Sequence, residues 1–368
     1  MASVGESAWT ITSGGNGTNL TAPLTAEMGT GPEVIIIPLV FLVIVIGGCF
    51  GNSLVIVVIL KNRDQGKNTT NLFILNLSFA DLLFLLFCVP FHAWIYTLPD
   101  WIFGEFVCKV VHFVQYCSML ASVFTLVAMS MDRCLAIVYP LRSMRIRTPG
   151  VALLVCGVIW LMSCATSLPW LVVFQITSVI DGGVALEYCA DVWTNLDHRA
   201  IYLLMFFVLG YAVPFALMLV LNLLMVRQLW IFSGPNGPTV ESIRNRMKVT
   251  RLVISVVVVF GICWLPSHVA TMWFNFGTVN WSDERTIRTV YIFRIFTHML
   301  SYVNSSLNPL IYALVSGNFR KDVKRAFTRK PPGGALTSQN GRSMTYKSFR
   351  SNERVERTMG GATNSTQM

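Results

Sequence analysis

Charge is scarce in this 368-residue chain: Asp, Glu, Lys and Arg make up 12% of it, about half the usual 25% of a soluble domain. With 54% hydrophobic residues and a mean hydropathy of +0.59, so apolar a chain needs lipid over much of its surface. Acids are the scarcer sign, 18 against 28 Lys and Arg, for a net charge of +10. That surplus does not mark nucleic-acid binding, because the bases stand in loops beside apolar runs, the orienting bias of membrane proteins. Internal repeats are missing, and one acid alone, Asp81, falls in the middle of an apolar run. Both absences argue against a transporter, which tends to show repeated halves, paired broken helices or a charged midplane path. There is no metal-spacing cluster, phosphate loop or nucleophile motif, so an enzyme is not expected. The first 33 residues hold acids and no base; with so long an apolar run behind them, they do not read as a cleavable signal.

What the chain has in abundance is long apolar stretches. Seven run at Val34–Leu60, Asn71–Leu98, Glu105–Val138, Val151–Phe174, Ile201–Trp230, Thr250–Phe276 and Thr286–Leu314. Each reaches the roughly 20 residues that cross a bilayer core as a helix. Helices are required because hydrocarbon offers no partner to an unpaired backbone group. The expected fold is an all-α membrane protein, a bundle of seven transmembrane helices. One set of connections carries the bases, among them Lys61, Arg63, Lys67, Arg142, Arg145, Arg147, Arg244, Arg246, Lys248, Arg320 and Lys321. The other set carries Asp100, Glu105, Asp181, Glu187, Asp191, Asp197, Asp283 and Glu284. The basic side belongs in the cytoplasm, which puts the N-terminus outside and requires an odd number of crossings. The chain then divides into an extracellular leader (1–33), a seven-helix domain (34–316), a short amphipathic segment (317–330) and a cytoplasmic tail (331–368) too poor in apolar residues to fold alone. In the leader, Asn16-Gly17-Thr18 and Asn19-Leu20-Thr21 are glycan acceptors on the lumenal side; Asn280-Trp281-Ser282 is a third, close to the membrane.

Most of the nine cysteines lie inside apolar runs as small buried hydrophobes. Cys108, at the outer start of the third run, and Cys189, in the long second outer loop, face an oxidising compartment, where a disulfide between them would pin the loop over the bundle. In that loop Asp181-Gly182-Gly183 is a turn signal, and Val179–Tyr188 reads as a β-hairpin.

Each run carries one further motif. Gly51-Asn52 lies in the first, Leu77 to Asp81 in the second, Trp160 in the fourth and Pro214 in the fifth. Asp132-Arg133-Cys134 ends the third, Cys263-Trp264-Leu265-Pro266 lies in the sixth, and Asn308-Pro309-Leu310-Ile311-Tyr312 closes the seventh. One per helix and all in order, these resemble the rhodopsin-like (class A) G-protein-coupled receptors from Val34 to Lys330. Within that family the chain is most similar to the galanin and allatostatin-A type peptide receptors, through Thr69–Ser78, Val257–Pro266 and Ser301–Pro309; Arg227–Trp230 leans to the allatostatin side, and kisspeptin-type receptors are near neighbours.

The resemblance implies a receptor at the plasma membrane that binds an extracellular neuropeptide and activates heterotrimeric G proteins of the Gi/o class. Arrestin and receptor kinases are implied as later partners, acting on the Ser- and Thr-bearing tail. It places His92, Tyr96, Trp101, Gln115, Glu187, His268, Tyr291, Arg294, His298 and Tyr302 around the ligand. It makes Asp132 the restraint on Arg133, and Trp264, Pro266, Asn308, Pro309 and Tyr312 the switch. It assigns Asp81, Ser122, Asn304 and Asn308 to an allosteric sodium ion, with no other cofactor, and gives 317–330 the role of a membrane-lying helix eight. Retinal is excluded, since Tyr302 stands where an opsin has its lysine; small amines are excluded, since Gln115 replaces their acidic counter-ion. A lipid-ligand receptor is the alternative. Two departures stand out: Arg246 replaces the acid that often locks the sixth helix to Arg133, and Asn222 replaces a tyrosine of the fifth.

Overall fold

The computed structural model describes residues 33–61, 68–98, 100–181, 184–232, 240–278, 283–315 and 317–328. The acceptors Asn16, Asn19 and Asn280 and the tail 331–368 lie outside the described residues. Among the described residues the helices are α1 (Glu33–Lys61), α2 (Thr69–Phe87), α3 (Val89–Ile95), α4 (Gly104–Val138), α5 (Pro140–Ile146), α6 (Pro149–Val173), α7 (Leu196–Phe207), α8 (Val213–Phe232), α9 (Val240–Phe276), α10 (Glu284–Val315) and α11 (Gly317–Thr328). A hairpin of β1 (Phe174–Asp181) and β2 (Val184–Asp191) joins α6 to α7. Seven transmembrane spans result: α1, α2 with α3, α4, α6, α7 with α8, α9, and α10. Six are long and apolar enough for a bilayer by length and composition alone. The last, α10, is more polar because Thr297, Ser301, Asn304, Ser305 and Asn308 all point into the bundle, where polar groups in a membrane belong.

Local chemistry sets the breaks. The second span, expected as one run from Asn71 to Leu98, is interrupted at Cys88, where α2 ends and Pro90 sits in the first turn of α3; proline lacks the donor a continuing helix needs. The fifth span widens into a π turn at Val208–Ala212 just before Pro214. Thr148 caps α6 by accepting from Val151 N at 3.3 Å, and Asn195 caps α7 by accepting from Asp197 N at 2.7 Å. Asp283 does the same for α10, accepting from Thr286 N at 3.0 Å and Thr286 Oγ1 at 2.7 Å. Those bonds hold its carboxyl below the ordinary carboxylate range.

The outward faces are as apolar as the inward ones. Val43 and Phe50 of α1 and Leu154 and Leu161 of α6 are exposed, whereas Phe41, Leu77, Leu120, Met129, Met218, Phe260 and Tyr312 fill the interior. Polar stitches fix the register. Trp160 Nε1 donates to Asn76 Oδ1 at 2.9 Å, and Asn76 Nδ2 to Thr125 Oγ1 at 2.7 Å, tying α6, α2 and α4. Asn52 Nδ2 donates to Ser305 O at 3.0 Å, tying α1 to α10. Side chains of α10 and α2 close on α1 at Gly48, where a Cβ would overlap Ser306 Oγ and stand 2.6 Å from Leu85 Cδ1.

Candidate functional site

Among the described residues, three of the buried polar centres follow one another along the bundle. The first is a cavity of about 40 Å³ between α4, α7, α9 and α10, lined by Gln115, His268, His298 and Tyr302 together with Phe84, Trp264, Ser267 and Ser301. None of its lining residues is an acid, a lysine or an arginine. Gln115 Oε1, His268 Nε2 and the Tyr302 hydroxyl are buried there with no hydrogen-bond partner among the described residues. Unpaired polar groups in a low-dielectric interior are costly, so the cavity is built for a group that donates and accepts. Trp264 forms its floor, its ring 6.0 Å from Phe84 and 6.1 Å from His268.

The other residues expected around the ligand are placed differently. Arg294 lines an adjoining smaller cavity with His298 and Asn275. Tyr96 is buried behind His298, its hydroxyl 2.5 Å from His298 Nδ1, and Tyr291 donates from its hydroxyl to Tyr96 O at 2.6 Å. His92 is buried too, its ring 5.7 Å from His298 and 5.9 Å from Tyr302. Trp101 packs the first outer loop: its indole donates to Gly104 O at 2.9 Å and its amide to Glu187 O at 2.7 Å. Glu187 is exposed on β2, its amide bound to Asp100 Oδ1 at 2.8 Å. So Gln115, His268, His298 and Tyr302 share one cavity, while Trp101 and Glu187 serve the hairpin's contact with the first outer loop.

The hairpin pairs Phe174 with Asp191 through to Asp181 with Val184, longer than the Val179–Tyr188 expected. Cys108 and Cys189 are disulfide-bonded and tie it to α4. Two supports escaped the sequence reading. His112, one turn below Cys108, stacks on Phe174 with ring centroids 3.6 Å apart. Arg199 Nε donates to Asp191 Oδ2 at 2.8 Å in an ion pair only 3% and 2% exposed, and Arg199 also bonds Asn275, so the hairpin, α7 and α9 are joined.

At mid-depth Asp81 is fully buried, accepting from Asn308 Nδ2 at 2.7 Å and from Ser122 Oγ at 3.4 Å. Asn304 is buried at 4% exposure, and Asn308 Oδ1 has no partner among the described residues. A carboxylate with neutral oxygens at one depth is a donor set suited to a small hard cation. Below it the Tyr312 hydroxyl is buried with no partner among the described residues, and Asn222 is turned into its own helix, Nδ2 donating to Met218 O at 2.8 Å. Pro266 and Pro309 lie inside α9 and α10.

At the opposite end of the bundle from the cavity, Arg133 Nη2 is 2.7 Å from Asp132 Oδ2. Arg147 also grips Asp132, Nε to Oδ1 at 2.8 Å, and Thr69 Oγ1 donates to Oδ1 at 2.9 Å. Sequence alone gave Arg147 no more than a share in the loop's charge. Arg246 lies over the Phe232 ring, 5.7 Å from its centroid, so the sixth span meets the fifth there.

Comparison with known proteins agrees with this arrangement. The profile of the seven-transmembrane receptor (rhodopsin family) matches residues 51–312. Galanin receptor 2a of Danio rerio is 42% identical over 297 residues, 80% of this chain and 78% of that one. Galanin receptor type 2 of Rattus norvegicus is 41% identical over 313 residues, 85% and 81% of the two chains, and galanin receptor type 1 of the same species 41% over 316 residues, 85% and 88%. With its seven spans, its pinned hairpin and this likeness, the chain belongs to the rhodopsin family of seven-transmembrane receptors.

Proposed function

We propose that this receptor sits in the plasma membrane with its N-terminus outside, binds a galanin-like neuropeptide in the outer cavity, and activates heterotrimeric G proteins of the Gi/o class. The observation that carries the reading is the set of polar atoms on Gln115, His268 and Tyr302, unpaired among the described residues, around one uncharged pocket above Trp264. A small amine would find no carboxylate there. A peptide side chain with an apolar body and a polar tip would satisfy the orphans and bury its own surface. Likeness to galanin receptors supports the peptide class.

Binding at the cavity is coupled to the cytoplasm through α9. Trp264 lies two residues before Pro266, where the missing backbone bond makes a hinge. Rotation of α9 about it would open the cytoplasmic end and let Arg133 leave Asp132 for the C-terminal helix of the G protein. Asp81, Ser122, Asn304 and Asn308 would hold a sodium ion, which supplies the positive charge a buried carboxylate otherwise lacks. Here α11 would lie on the inner leaflet, with the tail beyond it available to receptor kinases and arrestin.

The test is nucleotide exchange on a purified Gi/o-class heterotrimer by the receptor in lipid nanodiscs, with galanin as probe. Galanin should stimulate exchange, and Gln115→Leu should shift its dose–response to at least about tenfold higher concentration, the effect of a polar contact worth roughly 1.4 kcal/mol. A response of Gln115→Leu equal to wild type would remove the cavity from the account, and silence of the wild type across galanin-like peptides would remove the ligand class.

A further inference from the structure

We propose that Arg147, which ends the short cytoplasmic helix α5, holds the Asp132 carboxylate while Arg133 leaves it, and so sets how readily the receptor switches on; the inference rests on the role given to Arg133 above. The Asp132 side chain is 6% exposed and is gripped by four neighbours. Its two oxygens are shared unevenly. Arg133 places both Nε, at 3.0 Å, and Nη2, at 2.7 Å, on the same oxygen, Oδ2. Arg147 spans the carboxylate, with Nε on Oδ1 at 2.8 Å and Nη2 on Oδ2 at 3.2 Å. That fork-on-fork geometry is the stronger and more directional form of a charge-assisted pair. Thr69 Oγ1 adds a bond to Oδ1 at 2.9 Å and Thr70 Oγ1 one to Oδ2 at 3.3 Å. Arg147 Nη2 also reaches Thr69 Oγ1 at 3.3 Å.

Local sequence holds Arg147 in place. Pro140 opens α5 and Pro149 opens α6, leaving Arg147 and Thr148 as the joint between them. Arg147 N donates to Ser143 O at 2.8 Å, and Ser143 Oγ to Pro140 O at 3.0 Å, which closes the turn. Its guanidinium is thus delivered to the ends of α2 and α4 from the second cytoplasmic loop.

The consequence is a matter of sign. A buried carboxylate stripped of its only cation is strongly penalised. Were Arg133 the sole partner, its withdrawal towards the G protein would leave such a charge behind. With the Arg147 fork and two hydroxyls still in place, Asp132 keeps a cation across both oxygens when Arg133 departs. Arg147 therefore eases the release of Arg133. A third member of the restraint would have the opposite effect, because removing it would raise the activity of the resting receptor.

The experiment measures GTPγS uptake by a Gi/o-class heterotrimer per folded receptor in lipid nanodiscs, without peptide and with galanin. The variants are Arg147→Gln, Arg147→Lys, and each again in an Asp132→Asn background. Arg147→Gln should lower resting exchange about fivefold and shift the galanin response to higher concentration by a similar factor, the low end of coupling between sites. Arg147→Lys, a point charge without the fork, should fall between wild type and Arg147→Gln. With Asp132→Asn the carboxylate's demand is gone, and Arg147→Gln should change exchange less than about twofold. A merely structural arginine would show neither the rescue by lysine nor the dependence on Asp132. Higher or unchanged resting exchange in Arg147→Gln, or the same loss in both backgrounds, overturns the proposal. If Arg147→Gln does not fold, Arg147→Lys decides alone, and exchange equal to wild type overturns it. Wild-type receptor that stimulates no exchange above receptor-free nanodiscs is a different failure, since it defeats the receptor reading and this inference with it.

Discussion

Asp81 shows how much one residue can disclose. A carboxylate in the middle of an apolar run is expensive enough to require a function, and the structure places it fully buried against Asn308 and Ser122. Opening of the cytoplasmic end would reshape this cluster, so sodium should favour the resting state and weaken galanin binding. Asp81→Asn keeps the shape and removes the charge; galanin affinity measured with and without sodium at matched ionic strength should lose its sodium dependence in the variant. Equal dependence in both proteins would place the ion elsewhere. Gln115, His268 and Tyr302 were placed around a ligand by the resemblance; their position inside apolar helices alone would have left each as an ordinary core residue. Arg147 and His112 were missed. One looks like any loop base and the other like any core histidine, and what distinguishes them is a partner far along the chain: Asp132 lies 15 positions from Arg147, and Phe174, on which His112 stacks, belongs to the hairpin.

Among the elements, the spans were legible because bilayer thickness dictates their length, whereas several of their ends and breaks went unread. Hydropathy sees α9 only from Thr250, yet the helix runs back to Val240, since a helix propagates through charged residues once water can solvate them. The break at Cys88 depends on Pro90 and could have been read from it. The hairpin announced itself through Asp181-Gly182-Gly183, but its full length depends on pairing that extends to Phe174 and Asp191. Cys108→Ser or Cys189→Ser should release that hairpin from α4 and nearly abolish galanin binding at the cell surface, while Cys49→Ser should leave binding intact. Saturation binding on surface-labelled receptor distinguishes the two, and full binding by either of the first pair would contradict the role of the bridge. The approach of α1 to α10 makes a second prediction. Gly48→Ala should cost about 1 kcal/mol, the low end of overpacking, because Ser306 Oγ and Leu85 Cδ1 are side-chain ends that must turn away from the added Cβ. Gly47→Ala, where a Cβ meets nothing within 4 Å, should be neutral or stabilising by up to about 1 kcal/mol. Thermal melting of the detergent-solubilised receptor should therefore drop for the first and not for the second; equal midpoints would mean the two helices are less tightly apposed than described.

For the molecule as a whole, the outer cavity and the Asp132–Arg133–Arg147 cluster occupy opposite ends of one bundle, and α9, with Trp264 and Pro266, runs between them. Such an arrangement functions as a two-state device only if both ends bias the same equilibrium. Peptide outside and G protein inside must then raise each other's affinity by one common factor. The direct measurement is galanin affinity for the purified receptor in nanodiscs, with and without a saturating nucleotide-free Gi/o heterotrimer. The account predicts an affinity at least about fivefold tighter with the heterotrimer, within the usual range of coupling, and a return to the lower affinity when GTPγS dissociates the complex. Galanin affinity indifferent to the G protein and to GTPγS would contradict it.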